Sequence, residues 1–330
     1  WKDATEPKFS WNINSGYSDM DIELARKIKN AGEDYDLQLN NQLKCYITDN
    51  DTGNEQKAIY SGWISNYKPH IAENEEYINV SILPYTTELK DNYFITSTST
   101  TIQLNNYDPG NIITNALDNK KSTVGGKIGS QSNLATTIDK ANLTLTYTFK
   151  ASNYKDVVEK CRELSPAGYH WYIDADDNLQ FHPRSASVIH SFTIGKDINL
   201  VDITKSTEDL RNIAIVIGGI PDGQTKSIYK VYGSDSGWYE ESKKKYGKKT
   251  VILYDERIKT AETAGYYAKS YLDYYNQPLI SAKITIADNN GKETGYDIES
   301  IKPGQTANII DPTIEQQITK WDTAVWDQSP

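Results

Sequence analysis

The sequence predicts an α+β fold, mainly β, shared among more than one domain. Three observations carry this. Thr, Ile, Tyr and Val dominate the stretches that read as ordered, and these residues suit a pleated, half-buried surface. Apolar and polar residues alternate with period two over short, evenly spaced segments. One segment, 143–183, reads as a strand, a helix and a hairpin in close succession. The chain of 330 residues corresponds to two or three domains at roughly 150 residues each.

From the N-terminus, residues 1–105 read as nearly all strand. Phe9, Trp11 and Ile13 alternate with polar neighbours, as do Tyr35, Leu37 and Leu39. A strand is expected over 19–26. Another runs over 43–48 and ends in a turn at Asn50-Asp-Thr-Gly53. Strands over 58–64 and 77–83 follow. Strands this short and regular suggest a small barrel or sandwich. Tyr107-Asp-Pro-Gly110 marks a boundary. Asn111 is expected to cap a helix with Ile112, Ile113, Ala116 and Leu117 on its inner face. Residues 119–142, rich in Gly, Ser, Lys and Asn, read as a linker or surface loop.

The pivotal segment follows. Leu143, Leu145, Tyr147 and Phe149 alternate with Thr144, Thr146 and Thr148, the mark of a half-buried strand. Asn153 caps the next helix, and Asp156 suits its positive N-terminal dipole. Val157, Val158, Cys161 and Leu164 form one apolar stripe, and Pro166 and Gly168 end the helix. Trp171 and Ile173 point one way and Tyr172 the other. The polar run 174–178 turns the chain, and Leu179 and Phe181 bring it back. Residues 190–194 close this region near 205.

Asp209-Leu-Arg-Asn leads into the continuous apolar run 213–217, a central strand ending at Gly218-Gly219. Residues 221–250 read as a long exposed excursion. A strand resumes at 251–254. Thr260 opens a helix to Tyr275 carrying Ala264, Ala268, Tyr271 and Leu272. A strand over 279–287, a hairpin turn at Asn289-Asn-Gly291, a turn at Ile301-Lys-Pro-Gly304 and a last strand at 307–310 complete the pattern. The tail holds Trp321-Asp and Trp326-Asp five residues apart, too few copies for a repeat array.

Composition narrows the function. Mean hydropathy is −0.66, and no apolar run approaches the ~18 residues of a membrane span. No signal peptide is evident. The chain starts at Trp1 and holds one methionine, Met20, as a segment of a longer product would. The net charge of −10 repels nucleic acid and anionic membranes, so tight DNA or RNA binding is not expected. An acidic lumen along which DNA slides is compatible with it. The 24 Tyr and 7 Trp against 5 Phe suit partly wet sheets and interfaces. The two cysteines, Cys45 and Cys161, make no disulfide framework, and Cys161 reads as a buried thiol.

No catalytic, cofactor or metal site emerges. Asp174, Asp176 and Asn178 have the alternation of a calcium loop, but its sixth position holds Leu179 and its twelfth Ser185, so a hairpin turn is the simpler reading. His70, His170, His182 and His190 lack paired metal spacing, although His170 and His182 could face each other across the hairpin. No G-x-S-x-G elbow occurs. Gly125-Gly-Lys-Ile-Gly-Ser130 resembles a phosphate loop only superficially, and 215–219 lacks G-x-G-x-x-G. Lys243, Lys244, Lys245, Lys248 and Lys249, near Tyr239 and Tyr246, read as a solvated loop tip or a phosphate contact. Paired carboxylates for glycoside hydrolysis cannot be singled out from sequence.

Four passages nevertheless resemble the baseplate hub family of phage tails: the Mu-type hub, the N-terminal part of tail-associated proteins, and the hub half of type VI secretion spikes. They are Phe9 to Arg26 around the Asn14-Ser-Gly16 turn, Ile59-Tyr-Ser-Gly-Trp-Ile64, the pivotal segment with Asp209 to Gly219, and Ile301-Lys-Pro-Gly304 with Ala307-Asn-Ile309. They run from about residue 9 to 312, and their order and spacing are the signal. The resemblance implies two small tube-type β-barrel domains with inserted α/β domains. The first barrel is 1–105. An α/β domain spans 106–205. The second barrel is 206–312, built from about 206–220 and 278–312 around a smaller insert at about 221–277. Residues 313–330 are a C-terminal extension or linker.

It also implies a non-enzymatic virion protein at the tail tip, made in the host cytoplasm. The expected assembly is a homotrimer whose six barrels form a pseudo-sixfold ring around the DNA channel. Its implied partners are the distal tail protein or tail tube protein, the tape measure protein and a C-terminal spike or receptor-binding module. DNA is met only in transit, and no stable membrane association is expected. Alternative readings are an aromatic-rich carbohydrate-binding module, and a glycosidase or peptidase.

Overall fold

The computed structural model describes residues 8–25, 37–48, 56–71, 76–234, 237–286, 296, 300–310 and 319–320. Three hydrophobic cores organise them.

The N-terminal unit holds β1 (Trp11–Asn12), β2 (Gly16–Tyr17), β3 (Met20–Ala25), β4 (Gln42–Thr48), β5 (Gln56–Ile71) and β6 (Glu76–Pro84). The last four make an antiparallel sheet in the order β3-β6-β5-β4. Alternation decides its faces: Met20, Ile22 and Leu24 bury against Tyr60, Ile64, Val80 and Ile82. The short helix α1 (Thr86–Asp91) follows, inside a stretch read as strand, and its Leu89 is buried in the largest core rather than in this one. Leu37 and Leu39 lie outside any strand, because the chain turns at 39–40, where Asn40 adopts a left-handed φ of 67°. Tyr35 and the turn at 50–53 lie outside the described residues.

The central unit is the largest. It begins with β7 (Thr101–Tyr107), α2 (Pro109–Thr123), α3 (Leu134–Thr137), β8 (Leu145–Lys150), α4 (Tyr154–Leu164), β9 (Tyr169–Ile173) and β10 (Leu179–Pro183). Ile112, Ile113, Ala116 and Leu117 are buried as expected, but the cap is Asp108, not Asn111: the Asp108 carboxylate accepts from Gly110 N, with Pro109 at the first helical position. That start is favoured because proline has no amide to leave unpaired there. Residues 119–142 are not a loose linker. They include the end of α2 and all of α3, and bury Lys120, Ile128, Leu134 and Ile138. In α4, Asn153 Oδ1 accepts from Asp156 N, and Val157, Val158, Cys161 and Leu164 all face the core. The β9–β10 register sets His170 opposite His182 and Trp171 opposite Phe181. Both faces of β9 are covered, so Tyr172 is buried along with Trp171 and Ile173.

Next come β11 (Val188–Thr193), β12 (Ile198–Ser206), β13 (Ile213–Gly218), β14 (Tyr229–Tyr232), α5 (Glu240–Tyr246), β15 (Thr250–Asp255), α6 (Ala261–Tyr275), β16 (Leu279–Ile286), β17 (Thr306–Ile310) and β18 (Thr319–Lys320). Their pairings depart from the sequence reading. β11 runs parallel to β17, and β12 pairs with β16, so 188–206 joins 279–286 and 306–310 in a third unit around Phe192, Ile198 and Ile309. β13 instead pairs with β14 and β15, and its Ala214 and Val216 join the central core beneath α6. The expected grouping of 206–220 with 278–312 is therefore not the one the strands adopt. The apolar run of β13 needs a helix layer to cover it, and α6, with Ala264, Ala268 and Leu272 buried, supplies that layer. The excursion at 221–250 also contains β14 and α5. The Asn289-Asn-Gly291 turn and the two Trp-Asp pairs lie outside the described residues.

Candidate functional site: a junction hairpin and a tyrosine groove

The β9–β10 hairpin touches all three units. On one side the β1–β2 turn docks on it: Asn14 N donates to Trp171 O (2.7 Å), and Trp11 Nε1 donates to Ile173 O (3.3 Å). At its tip, Ala175 enters the N-terminal core, and Asp177 adopts a left-handed φ of 67°. Ser61 Oγ donates to Asp177 Oδ1, and Gln42 Nε2 to Oδ2 at 3.3 Å. Burial raises the Asp177 carboxyl pKa, partly opposed by Ser61 and Lys44. At its base, Ser185 N donates to Gly304 O, and Thr306 Oγ1 to Ser185 O. Gly304 has φ +82°, and a Cβ there would fall 1.9 Å from His170 Nε2.

The hairpin thus explains the calcium-like spacing. Asp174 Oδ1 accepts from Asp176 N (3.0 Å) and Asn178 N (2.9 Å), and its Oδ2 accepts from Gln180 Nε2 (2.8 Å). Its oxygens hold their own turn, as aspartates in such turns do. Among the described residues, no group of three His, Cys, Asp or Glu is placed to hold a metal ion.

A groove of about 380 Å³ lies between α4, α6 and β9. Tyr267, Tyr271, Tyr274 and Tyr275 of α6 line one wall, and Arg162, Tyr169, His170 and Arg184 stand opposite. The Arg184 guanidinium sits 5.9 Å from the Tyr274 ring centre, and Arg162 is engaged by Glu159. His170 is buried, which pulls its pKa down and favours the neutral ring; its Nδ1 lies 3.4 Å from Gly168 O. Chemically the groove offers aromatic faces and guanidinium edges.

The other histidines tie structure together. His190 bridges Tyr296 Oη (2.9 Å) and Gln305 Oε1 (2.7 Å). His182 meets Asp139 (2.9 Å) and Gln180 (2.7 Å). His70 stacks on Tyr77. Burial raises both thiols, Cys45 to about 11, while Cys161 is fully enclosed.

The phosphate-like loop at 125–130 is filled from within. Lys127 N and Ile128 N donate to Glu88, while Lys120 Nζ donates to Glu88 Oε2 (2.7 Å), Gly125 O (2.7 Å) and Ile128 O (2.8 Å). A second ion cluster, also unmarked in the sequence, joins β8, α4 and β15. Asp255 accepts from Tyr147 Oη (2.8 Å) and Arg257 Nε (2.9 Å), and Lys160 stands 3.3 Å away. Burial works to raise the Asp255 carboxyl pKa; Arg257, Lys160 and Tyr147 reverse this and hold it below its ordinary value. Nor are the lysines at 243–249 a uniform tip. Lys243 is largely buried, donating to Gly233 O and pairing with Glu240 (both 2.7 Å). The fully buried Asn212 holds Ser242, Gly247 and Lys249.

No protein-family model matches this chain, and no curated protein matches it. Solved structures do match in fold. The tail protein from Neisseria meningitidis MC58 aligns over 89% of this chain and 78% of its own, at 12% identity and a TM-score of 0.55. The prophage MuSo2 43 kDa tail protein from Shewanella oneidensis aligns over 92% and 83%, at 15% identity and 0.53. The prophage tail protein gp18 from Listeria monocytogenes EGD-e aligns over 94% and 80%, at 13% identity and 0.54. At this identity the likeness is one of fold, and it extends over about nine-tenths of the chain.

Proposed function

We propose that this chain is a structural protein of a bacteriophage or phage-like tail, and that its place there is the baseplate hub at the tail tip. The observation that carries the reading is the fold shared along nearly the whole chain with three solved phage tail proteins. The four hub-like passages in the sequence support the narrower placement. In this reading the N-terminal unit and the unit built from 188–206, 279–286 and 306–310 are the two tube-type barrels, with the central unit between them. Three copies form a ring framing the DNA channel. The ring joins the tail tube and distal tail protein, meets the tape measure protein, and carries a spike or receptor-binding module. The role is mechanical rather than catalytic. Buried ion clusters that brace the central unit, and a hairpin that contacts all three units, suit a part that transmits load.

Light scattering with negative-stain imaging tests this. The expected result is a ring-shaped particle with a central hole, at three times 37.3 kDa. A compact monomer at every concentration, with no ring on tail-tube or distal-tail templates, would overturn it. The tyrosine groove favours a second reading, a carbohydrate-binding module, since tyrosine faces stack on sugars. That reading predicts glycan-array binding lost on Tyr271→Ala with Tyr274→Ala.

A further inference from the structure

One face of the β14-β13-β15 sheet stands apart from every core. Alternation turns Ala214, Val216, Val251 and Leu253 toward the central core. The register sets the opposite side chains in two rows of three: Val231, Ile215 and Ile252, then Tyr229, Ile217 and Tyr254. None of these six belongs to any of the three cores. Tyr229 is 61% exposed, Ile252 63% and Tyr254 67%.

This face is unfinished on two physical grounds. First, β13 is the central strand of the sheet, parallel to β15 and antiparallel to β14, and its composition is that of the doubly covered strands of parallel sheets. Ile213-Ala-Ile-Val-Ile217 is the continuous apolar run of a strand buried on both sides; a strand with one wet face would alternate. Second, the patch is large. At about 200 Å² for a whole tyrosine, the two tyrosines expose roughly 250 Å². With the aliphatic side chains the face reaches about 500 Å², within the ~300–600 Å² that marks the largest patch on a monomer.

We propose that this face is covered by a second copy of the chain, as a contact the central unit makes with its neighbour in the trimer; the inference rests on the hub reading. A stable interface needs about 800 Å² per partner, and an apolar face of this size is large enough to form the centre of one. The six positions carry no charge. Copies that each bear −10 repel one another, so an uncharged, desolvated patch is the surface on which they can meet. Such composition fits a permanent homo-oligomer contact, whose centre is the most apolar of interface types. In a ring the contact is heterologous, so the face meets a different surface of the neighbouring copy.

The test uses the full chain carrying Tyr229→Lys with Ile252→Lys. A control variant, Gln103→Lys with Asn105→Lys, places the same charge on exposed polar positions of β7. Light scattering across concentration, with thermal unfolding of each variant, gives the readout. The expected result is a trimer for the wild type and control, and a monomer for the face variant at the same thermal midpoint. Its association should be at least ~100-fold weaker. A face variant that still forms the trimer overturns the inference and leaves the ring reading standing. A wild type that is monomeric at every concentration overturns the second copy as occupant and counts against the ring itself. Should the lysines lower the thermal midpoint, Ile252→Thr with Tyr254→Thr retains β propensity and reads the same equilibrium: a monomer supports the contact, and a persisting trimer overturns it.

Discussion

Replacing Lys120 by methionine should be among the most damaging single changes in the chain. The ammonium is 1% exposed and spends its three protons on Glu88, Gly125 O and Ile128 O. Methionine keeps most of the stem's volume but leaves the Glu88 carboxylate, itself 6% exposed, held only by two backbone amides. Removing one partner of a buried pair costs about 3–5 kcal/mol, because the remaining charge cannot be rehydrated. The two carbonyls lose their partner as well, at roughly 1–3 kcal/mol for each group left unsatisfied. Relaxation of the 124–130 loop offsets part of this, so the expected loss is about 4 kcal/mol, against ~5–15 kcal/mol for a typical domain. Urea unfolding followed by tryptophan fluorescence and far-UV circular dichroism measures it. Adding Glu88→Gln should recover about 1–2 kcal/mol, since the stranded charge is then gone. Two results would refute the reasoning: a Lys120→Met loss under ~1 kcal/mol, or a double variant weaker than the single one.

The Asp255→Asn variant should be less stable than wild type at neutral pH. Because the folded carboxyl pKa is depressed, the stabilisation is fully present above the ordinary carboxylate range near ~3.9. It is lost as pH falls through the folded value. The two urea curves should therefore converge in acid, and a gap independent of pH would assign the loss to packing alone. Trp171→Ala should cost about 3–5 kcal/mol, since a fully buried indole and its bond to Glu159 (2.8 Å) both go; a thermal midpoint near wild type would count against its central place. Gly304→Ala should open the base of the hairpin, seen as faster amide exchange at Ser185. Its positive φ alone costs about 1–2 kcal/mol, before the clash with His170; unchanged exchange would argue against that contact.

Much of the fold was legible because local rules and tertiary context agree. Asn153 and Thr260 cap their helices as their side chains allow, and the α4 stripe is buried residue for residue. The Asp174–Asn178 spacing reads as a turn because the competing metal pattern lacks its remaining ligands. The failures have a common cause. Lys120 and Glu88 are ordinary charged residues in sequence, 32 positions apart, and only folding brings them together in an apolar place. The loop at 119–142 looked loose because composition records glycine and lysine but not the carboxylate that gathers them. The tyrosine groove was not legible as a site, since its walls come from α4, α6 and the hairpin base.

The sequence by itself determined the longer alternating strands, the capped helices α4 and α6, the hairpin and the mainly β class, but not α1, α3, α5 or β14. These rest on periodicity and on hydrogen bonds between near neighbours, which a short stretch of chain contains in full. Tertiary structure alone decided which strands pair. The parallel partnerships of β11 with β17 and of β13 with β15 join distant segments, and an apolar run carries no mark of its partner. They regroup 188–220 between two units, and they leave on the β14-β13-β15 sheet an apolar face that no single strand could reveal.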